Sequence, residues 1–271
     1  MLEKIGFVAA DFENRKAQGG AAEQGCKVAP RKSVVQVYFA DVCREFAYYN
    51  DLFDLHVGDM VYVDGKLEGL RGKVTDVNYN FKIKVSDYKR VIAVADTDVS
   101  GTFYFAERYF LAFKRNVLPV SKVIRWFKAP DKEDDVFISG SDDTTFLLRD
   151  LSTMGVSDVT MERGEEYYDD NRVRYLCLDG TKGYAVVQGR EFYEVEFEYN
   201  NGEISKLVCS CYCADKCKHE VATMMLLKDV LSYATENYAE VYNNTGYLAA
   251  IDKGTLLYYA TDGKKVGTIT F

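Results

Sequence analysis

The 271-residue sequence is poor in histidine, proline and tryptophan, with two His, three Pro and one Trp. Two histidines exclude mechanisms that need several imidazoles, such as catalysis at a three-His zinc ion. The longest predominantly apolar run, residues 221–227, is far shorter than the ~18 residues that a membrane-spanning helix needs. The first residues lack the pattern of a secretory signal, because a brief apolar stretch is followed at once by acids. We therefore expect a cytoplasmic protein that makes no membrane contact.

The composition is that of a globular protein, with 48% hydrophobic and 28% charged residues. Its length suits one large domain or a few small ones. A net charge of -8 argues against a protein that covers nucleic acid with its whole surface. Seven cysteines, an odd and clustered number, indicate a reducing compartment and a bound metal rather than disulfides.

Most of the cysteines lie together in the string CSCYCADKCKH. Cys209 and Cys211 end a predicted strand, where residues two apart share a face. Cys217 and His219 stand at the turn into a predicted helix, from which they can complete a tetrahedral Cys3His zinc site. Such a site contributes about 10–16 kcal/mol of apparent folding free energy in zinc-finger peptides. A rival register replaces Cys209 by Cys213, but it leaves only residues 214–216 to turn the chain.

The three scattered cysteines, Cys26, Cys43 and Cys177, are interpreted as buried or incidental thiols. The cluster has no C-x-x-C pair, which argues against a redox role. His56 stands alone and is expected to be structural or exposed. The acidic run at residues 162–170 is expected to be the solvated face of a helix that Ser157 caps.

The sequence around the cluster resembles the SWIM zinc fingers, whose pattern is C-x-C, a spacer and C-x-H. An RG-x-x-YY helix at residues 163–168, a hairpin turning at Asn201-Gly202 and a helix that starts with C-K-H extend the resemblance over residues 160–232. The resemblance implies Zn2+ as the cofactor. It implies four ligands, Cys209, Cys211, Cys217 and His219. The five-residue spacer between Cys211 and Cys217 is short for the family.

SWIM domains are associated with DNA binding and with protein contact, and bacterial members often precede a helicase core. No G-x-x-x-x-G-K-[ST] phosphate loop occurs in this chain, so we expect no such core here. The sequence also contains no evident nucleophile–base pair, and the clustered metal ligands would be saturated. We therefore expect a protein that is not an enzyme.

The amino-terminal part is rich in strand patterns. A strand is predicted at residues 34–39, another at 60–63, and a third at 81–85, where Phe81, Ile83 and Val85 alternate with lysines. The run from Val57-Gly58-Asp59 to Val77 resembles the SH3-like small barrels of bacterial nucleic-acid-associated proteins. The resemblance implies a small β-barrel in this part of the chain.

A basic stretch occupies residues 108–128, with six cations and no acid. It interleaves cations with aromatic residues, the composition of a groove that binds single-stranded nucleic acid. The alternative is that the cations solvate one side of ordinary elements, including a short helix after Pro119. The candidate nucleic-acid-binding residues are Lys114, Arg115, Lys122, Arg125 and Lys128.

The predicted fold class is α+β with β predominating. We expect a flexible arm (1–30), an SH3-like barrel (31–100), a mixed β/helix connecting region (101–156), a SWIM domain (157–240) and a carboxy-terminal β-meander (241–271). The meander is predicted from three strand candidates, YLAAI, TLLYYA and VGTITF. The first functional hypothesis is a non-catalytic module that binds nucleic acid, in particular DNA. The alternative is an adaptor that docks a helicase or another DNA-processing protein without touching nucleic acid.

Overall fold

The computed structural model describes residues 30–132, 135–141, 143–213 and 215–261, together with the backbone of residues 4–7 and 267–270. It is a mixed α/β fold with 34% strand and 29% helix, which agrees with the predicted predominance of β structure. The strands are β1 Lys4–Phe7, β2 Ser33–Phe39, β3 Arg44–Asn50, β4 Met60–Val63, β5 Gly72–Asn78, β6 Val91–Ala95, β7 Tyr104–Ala106, β8 Tyr109–Ala112, β9 Phe146–Leu147, β10 Val173–Asp179, β11 Lys182–Gln188, β12 Phe192–Asn200, β13 Glu203–Cys209, β14 Tyr247–Asp252 and β15 Gly267–Thr270. The helices are α1 Val120–Phe127, α2 Asp158–Asp169, α3 Lys218–Asn237, α4 Ala239–Thr245 and α5 Lys253–Thr261.

The larger sheet is antiparallel and has eight strands in the order β7-β8-β14-β10-β11-β12-β13-β9. Both of its faces are covered. On the central strand β14, Leu248 and Ala250 join the core under α2 and α3, whereas Ala249 and Ile251 join the core under α1 and α5. Every residue of β14 is buried, which explains why residues 247–251 are all apolar or aromatic instead of alternating with polar residues. The larger sheet contains strands from the predicted connecting region, from the predicted SWIM domain and from the predicted meander. It therefore spans the domain boundaries predicted near residues 156 and 240.

The smaller sheet has five strands in the order β3-β2-β5-β4-β6. Its valine-rich inner face forms a separate core. A single isolated bridge joins Tyr49 of β3 to Arg90, the residue before β6, and the sheet does not close into the barrel that the SH3-like resemblance implied. The strand predicted at residues 81–85 is also wrong, because residues 81–84 form no strand and a 3-10 helix occupies Val85–Asp87. At the β3 edge of the sheet, Tyr49 is contacted by two residues from this part of the chain. Arg90 forms the bridge with it, and the ring of Phe81 packs on its ring.

The short helix α1 connects the two sheets, and it begins directly after Pro119 as predicted. The indole Nε1 of Trp126 donates to the carbonyl oxygen of Asp96 at 2.7 Å. From the smaller sheet, the Tyr62 hydroxyl donates to the carbonyl oxygen of Arg125 at 2.9 Å. The basic stretch therefore contains the structural connection between the two sheets.

The predicted hairpin and helices of residues 157–237 are confirmed. Ser157 caps α2 by accepting a hydrogen bond from the backbone of Thr160 at 3.2 Å. Asn201 and Gly202 both have positive φ, at 48° and 90°, as a type I′ turn between β12 and β13 requires. In β12, Val195 and Phe197 are buried and Glu196 between them is exposed, so the side chains alternate between the core and solvent at this point.

The predicted carboxy-terminal meander is wrong. YLAAI is strand β14, but TLLYYA lies within helix α5. The carboxylate of Asp252 accepts a hydrogen bond from the backbone of Thr255 at 2.7 Å, which satisfies an amide of the first helical turn. Strand β15 pairs with β1 rather than with β14. Of the predicted arm, residues 1–3 and 8–29 lie outside the described residues.

In the part of the chain that is described, no helix combines the length and the apolar character that crossing a membrane requires.

Candidate metal centre

Two structural elements bring the candidate ligands together. Cys209 is the last residue of β13, and Cys211 lies in the bend that follows it. Cys217 is the N-cap of α3, and His219 lies in the first turn of that helix. The ligand atoms of these four residues all lie within 4.8 Å of one another. The hairpin and the helix thus each contribute two ligands, as the spacing predicted.

The distances between ligand atoms fit a tetrahedral ion. The imidazole Nδ1 of His219 is 3.7 Å from Sγ of Cys209 and 3.6 Å from Sγ of Cys217. A tetrahedral zinc ion with ordinary Zn–S and Zn–N bonds would separate sulfur from nitrogen by about 3.6 Å. We conclude that Nδ1 is the metal-facing nitrogen and that the four residues are placed to bind one metal ion.

His219 is held as a neutral ring. Burial, with a smaller contribution from Lys218, lowers the pKa of His219 to about 4. Its ring is stacked on Tyr193, with centroids 4.5 Å apart, and Tyr167 contacts it edge-on at 5.4 Å. Its Nε2 is buried and has no hydrogen-bond partner among the described residues. Aromatic packing therefore orients this ligand, in place of the carbonyl or carboxylate that usually orients a metal-binding histidine.

Two of the thiols have a raised pKa, so they are harder to deprotonate than ordinary cysteines. Burial and the proximity of Cys217 raise the pKa of Cys211 to about 12. The hydrogen bond with Cys209, followed by burial, raises the pKa of Cys217 well above its ordinary range. A bound metal favours the thiolate forms, and binding would release these protons.

The start of α3 is also suited to negative charge. The backbone N–H of Cys217 donates to the buried carboxylate of Glu220 at 2.5 Å, and the Cys217 sulfur accepts from the Glu220 backbone. This is a capping box in which sulfur replaces the usual hydroxyl. The positive end of the α3 dipole lies at the same place and stabilises a thiolate there.

Helix α2 shields the histidine from the side. It packs on α3 at Gly164, where an added Cβ would come within 2.3 Å of Cγ1 of Val221. This close approach brings Tyr167 onto the ring of His219. The Tyr168 hydroxyl donates to Asp229 on α3. Gly164, Tyr167 and Tyr168 of the RG-x-x-YY pattern thus each make a contact with α3 or His219 that accounts for the residue type at that position.

A second glycine lies against the metal ligand itself. A Cβ on Gly189 would lie 2.8 Å from the ring of Tyr193 and 3.2 Å from Nε2 of His219. Only a residue without a side chain leaves the stacked pair undisturbed at this position. Gly189 is therefore a positioning residue for the histidine.

Cys213 is exposed and lies outside the cluster, which favours the predicted register over its rival. Of the scattered thiols, Cys177 is buried and Cys43 is exposed, while Cys26 lies outside the described residues. His56 is a surface residue beside Asp59, with 64% of its side chain exposed. The acidic side chains of α2 are exposed, as expected for a solvated face.

Of the five candidate nucleic-acid-binding residues, Lys122, Arg125 and Lys128 lie in or directly after α1, and Lys114 and Arg115 lie in the turn that precedes it. Three of them form ion pairs with acids from distant parts of the chain: Arg115 with Asp179 at 2.5 Å, Lys122 with Asp96 at 2.8 Å, and Lys128 with Glu194. Lys114 is exposed, and Arg125 is partly buried.

The aromatic residues of the basic stretch are buried. Their exposed fractions are 8% or less: Phe110, Phe113, Trp126 and Phe127. These four rings belong to the cores of the larger sheet and are not available to stack on bases.

Sequence reasoning missed the residues that surround the ligands, namely Tyr167, Gly189, Tyr193 and Glu220. Glu220 could have been found, because a carboxylate three residues after an N-cap is the signature of a capping box. Gly189 and Tyr193 carry no local signal, since their role depends on how β11 and β12 lie against α3.

Comparison of the chain with protein-family models, with curated proteins and with solved structures gave no significant match.

Proposed function

We propose that this chain is a zinc-binding module of the SWIM type that performs no chemistry at its metal and serves to bind a partner protein. The closed Cys3His cluster carries the proposal. Catalytic zinc ions keep a position open for water or substrate, whereas structural ions have four protein ligands. Four ligands drawn from a hairpin end and a helix start leave no such position.

Zinc is the metal that suits these ligands best. Thiolates select zinc, copper(I) and iron–sulfur clusters, while a neutral imidazole suits zinc, copper, iron and nickel. Three sulfurs and one nitrogen at tetrahedral separations are typical of structural zinc sites. The ion would connect β13 to α3, and through α3 it would stabilise the core that covers one face of the larger sheet.

The contacts of α2 support the SWIM assignment. In the RG-x-x-YY pattern, Gly164 permits close packing on α3, and Tyr167 covers the histidine ligand. The resemblance therefore extends from the ligand spacing to the residues that hold the ligands in place. The short spacer between Cys211 and Cys217 is a departure that this geometry accommodates, because the ligand atoms still converge.

A protein partner fits the observed surfaces better than nucleic acid. The basic stretch, on which the nucleic-acid hypothesis depended, has three of its cations in ion pairs and its four rings in the core. Elsewhere, three consecutive apolar residues are exposed: Val136, Phe137 and Ile138. Contiguous exposed apolar side chains are typical of protein-interaction surfaces.

Nucleic-acid binding is a second candidate, favoured by one residue. Tyr212, in the bend between Cys211 and Cys213, is fully exposed. An exposed ring on a metal-held loop is suited to stacking on an unpaired base. Lys114 and Arg125 have no ion pair among the described residues and could contribute phosphate contacts.

Affinity capture from an extract of the source cells, with and without nuclease, separates the two candidates. An adaptor retains its bound protein after nuclease treatment, whereas a nucleic-acid-binding module loses proteins that are bridged by nucleic acid. Cys217→Ser serves as the control, because a protein recovered only with the metal-loaded chain depends on the folded module.

Anisotropy titration with labelled single- and double-stranded DNA and RNA at low salt completes the test. We expect no binding that weakens steeply with salt. Steep salt dependence, together with loss of binding in Tyr212→Ala but not in Tyr212→Phe, would establish the nucleic-acid function and reject the adaptor.

A further inference from the structure

An acidic and apolar segment stands apart from the sheet. Val136, Phe137 and Ile138 are 85%, 71% and 92% exposed, and residues 135–141 form neither helix nor strand. In the sequence these residues are embedded in an acidic run, DKEDD before them and SDD shortly after them. No other three consecutive residues among the described ones are large, apolar and exposed. Folding alone gives no reason to leave this surface uncovered.

The nearest strand has an incomplete outer edge. Strand β13 pairs with β12 on its inner side from Glu203 to Cys209. On its outer side β9 pairs only with Glu203 and Ile204. No described strand pairs with the outer side of residues 205–209. Such an edge presents backbone donors and acceptors to any extended chain that approaches it.

The exposed segment and the open edge line the same cavities. A cleft of about 1490 Å³ is lined by Phe137 and Ile138 and also by Val208 and Cys209. A second cleft of about 710 Å³, also lined by Val208 and Cys209, extends beside the metal ligands. Gly140 borders both clefts. Together they form a groove that reaches from Phe137 and Ile138 past Val208 and Cys209 to the metal ligands, which we call the β13 groove.

The β13 groove is acidic. Seven carboxylates and four cations line its larger cleft. Ion pairs of Lys128 with Glu194 and Asp131, and of Lys132 with Glu68, engage two of these cations and three of these carboxylates. Four carboxylates and two cations of the lining remain outside these pairs. Asp131 and Asp135 belong to the stretch that leads into Val136, whereas Glu196 lies on β12, on the inner side of β13. A basic ligand complements this charge, and a polyanion is repelled by it.

We propose that the β13 groove binds an extended segment of a partner protein, in which apolar side chains alternate with lysine or arginine. The segment would add to the outer edge of β13 beyond β9. Its apolar side chains would pack against residues 136–138, and its cations would face the acids of the cleft. Main-chain pairing supplies affinity in this mode of recognition, and the side chains supply specificity. The inference rests on the proposed adaptor function and names the class of partner.

The test uses the full chain with zinc bound and two short fluorescent peptides, one alternating valine with lysine and one alternating valine with glutamate. We expect the lysine peptide to bind at least about tenfold more tightly than the glutamate peptide. A lysine peptide that is N-methylated at alternate residues, along one edge only, should lose about tenfold in affinity, because it cannot pair with β13.

The matched variants distinguish peptide binding at the β13 groove from non-specific attraction of the peptide to the protein. Combined Val136→Ser, Phe137→Ser and Ile138→Ser should weaken binding of the lysine peptide by about tenfold or more. The control, Leu52→Ser with Val57→Ser, changes residues of similar exposure near the smaller sheet and should leave binding unchanged. Zinc content verifies that each variant is folded.

Equal affinity for both peptides, indifference to N-methylation, or no binding of either peptide would each overturn the groove assignment. Strong hydrogen-exchange protection, in the free chain, of those amides of residues 205–209 that point away from β12 would also overturn it, because the outer edge would then already be paired. These failures would leave the adaptor function standing, since the capture experiment detects a partner on any surface.

Discussion

The ring of Tyr193 is stacked on the imidazole of His219, with centroids 4.5 Å apart and planes inclined by 24°. The stack fixes the ring so that Nδ1 points at the cysteine sulfurs, while Nε2 has no polar partner among the described residues. In this site an aromatic contact does what a hydrogen bond does around most metal-binding histidines. We therefore expect the stack to contribute to metal affinity, although Tyr193 is not one of the four candidate ligands.

The effect of replacing Tyr193 on zinc affinity should depend on whether the new residue keeps an aromatic ring. Tyr193→Ala removes the stack, and we expect zinc affinity to fall about tenfold, in the range that loss of a ligand-orienting residue produces. Tyr193→Phe keeps the ring and should bind zinc as the wild type does. Competition with a chromophoric chelator measures both. Equal loss in the two variants would show that the hydroxyl, and not the stack, orients His219.

The metal itself is directly measurable. Elemental analysis should give about one zinc ion per chain. Cys217→Ser should abolish it, because this residue provides a ligand and caps α3. Cys213→Ser should retain the metal and the melting temperature, since the Cys213 side chain is exposed and outside the cluster. Loss of zinc in Cys213→Ser would show that the rival register is the true one.

Gly164→Ala should destabilise the protein even though alanine favours helix. The helix preference of alanine over glycine is about 1 kcal/mol. Against this, the new methyl group would lie 2.3 Å from Cγ1 of Val221. Overpacking of this kind costs about 1–3 kcal/mol, so we expect a net loss in urea denaturation. Glu165→Ala, at the exposed neighbouring position, is the control and should change stability by no more than about 0.5 kcal/mol. A Gly164→Ala protein more stable than the wild type would show that α2 and α3 are not in tight contact.

The connection between the two sheets should depend on two hydrogen bonds. Trp126→Phe leaves the carbonyl oxygen of Asp96 without its indole donor, and Tyr62→Phe does the same to the carbonyl of Arg125. Each should lower the free energy of unfolding by about 1–3 kcal/mol. The effect is measured by circular dichroism in urea, because Trp126 is the only tryptophan of the chain and its fluorescence is lost in the first variant. An unchanged urea midpoint in both variants would contradict the proposed role of α1 as the connection.

Turns and helix starts were predictable where one or two neighbouring residues specify them. Asn201-Gly202 specified a tight hairpin turn through its positive φ angles, and Ser157 marked the start of α2. TLLYYA was assigned to a strand because its composition suits one, yet Asp252 stands where it can cap a helix and α5 begins at the next residue. The capping position, rather than the composition, was the informative feature.

The sequence by itself determined the metal site, because its four ligands lie within eleven residues and the strand and helix that carry them are set by local patterns. Only the tertiary structure decided which cations of the basic stretch form ion pairs and that its aromatic rings are buried. Its charge and aromatic content suggested a surface that binds polyanions, but Arg115, Lys122 and Lys128 meet acids that are far away in the sequence. An ion pair depends on distance in space, and a run of cations contains no information about the acids that folding brings beside it. The same reason explains Tyr193 and Gly189, whose contacts with His219 exist only once β11 and β12 lie against α3.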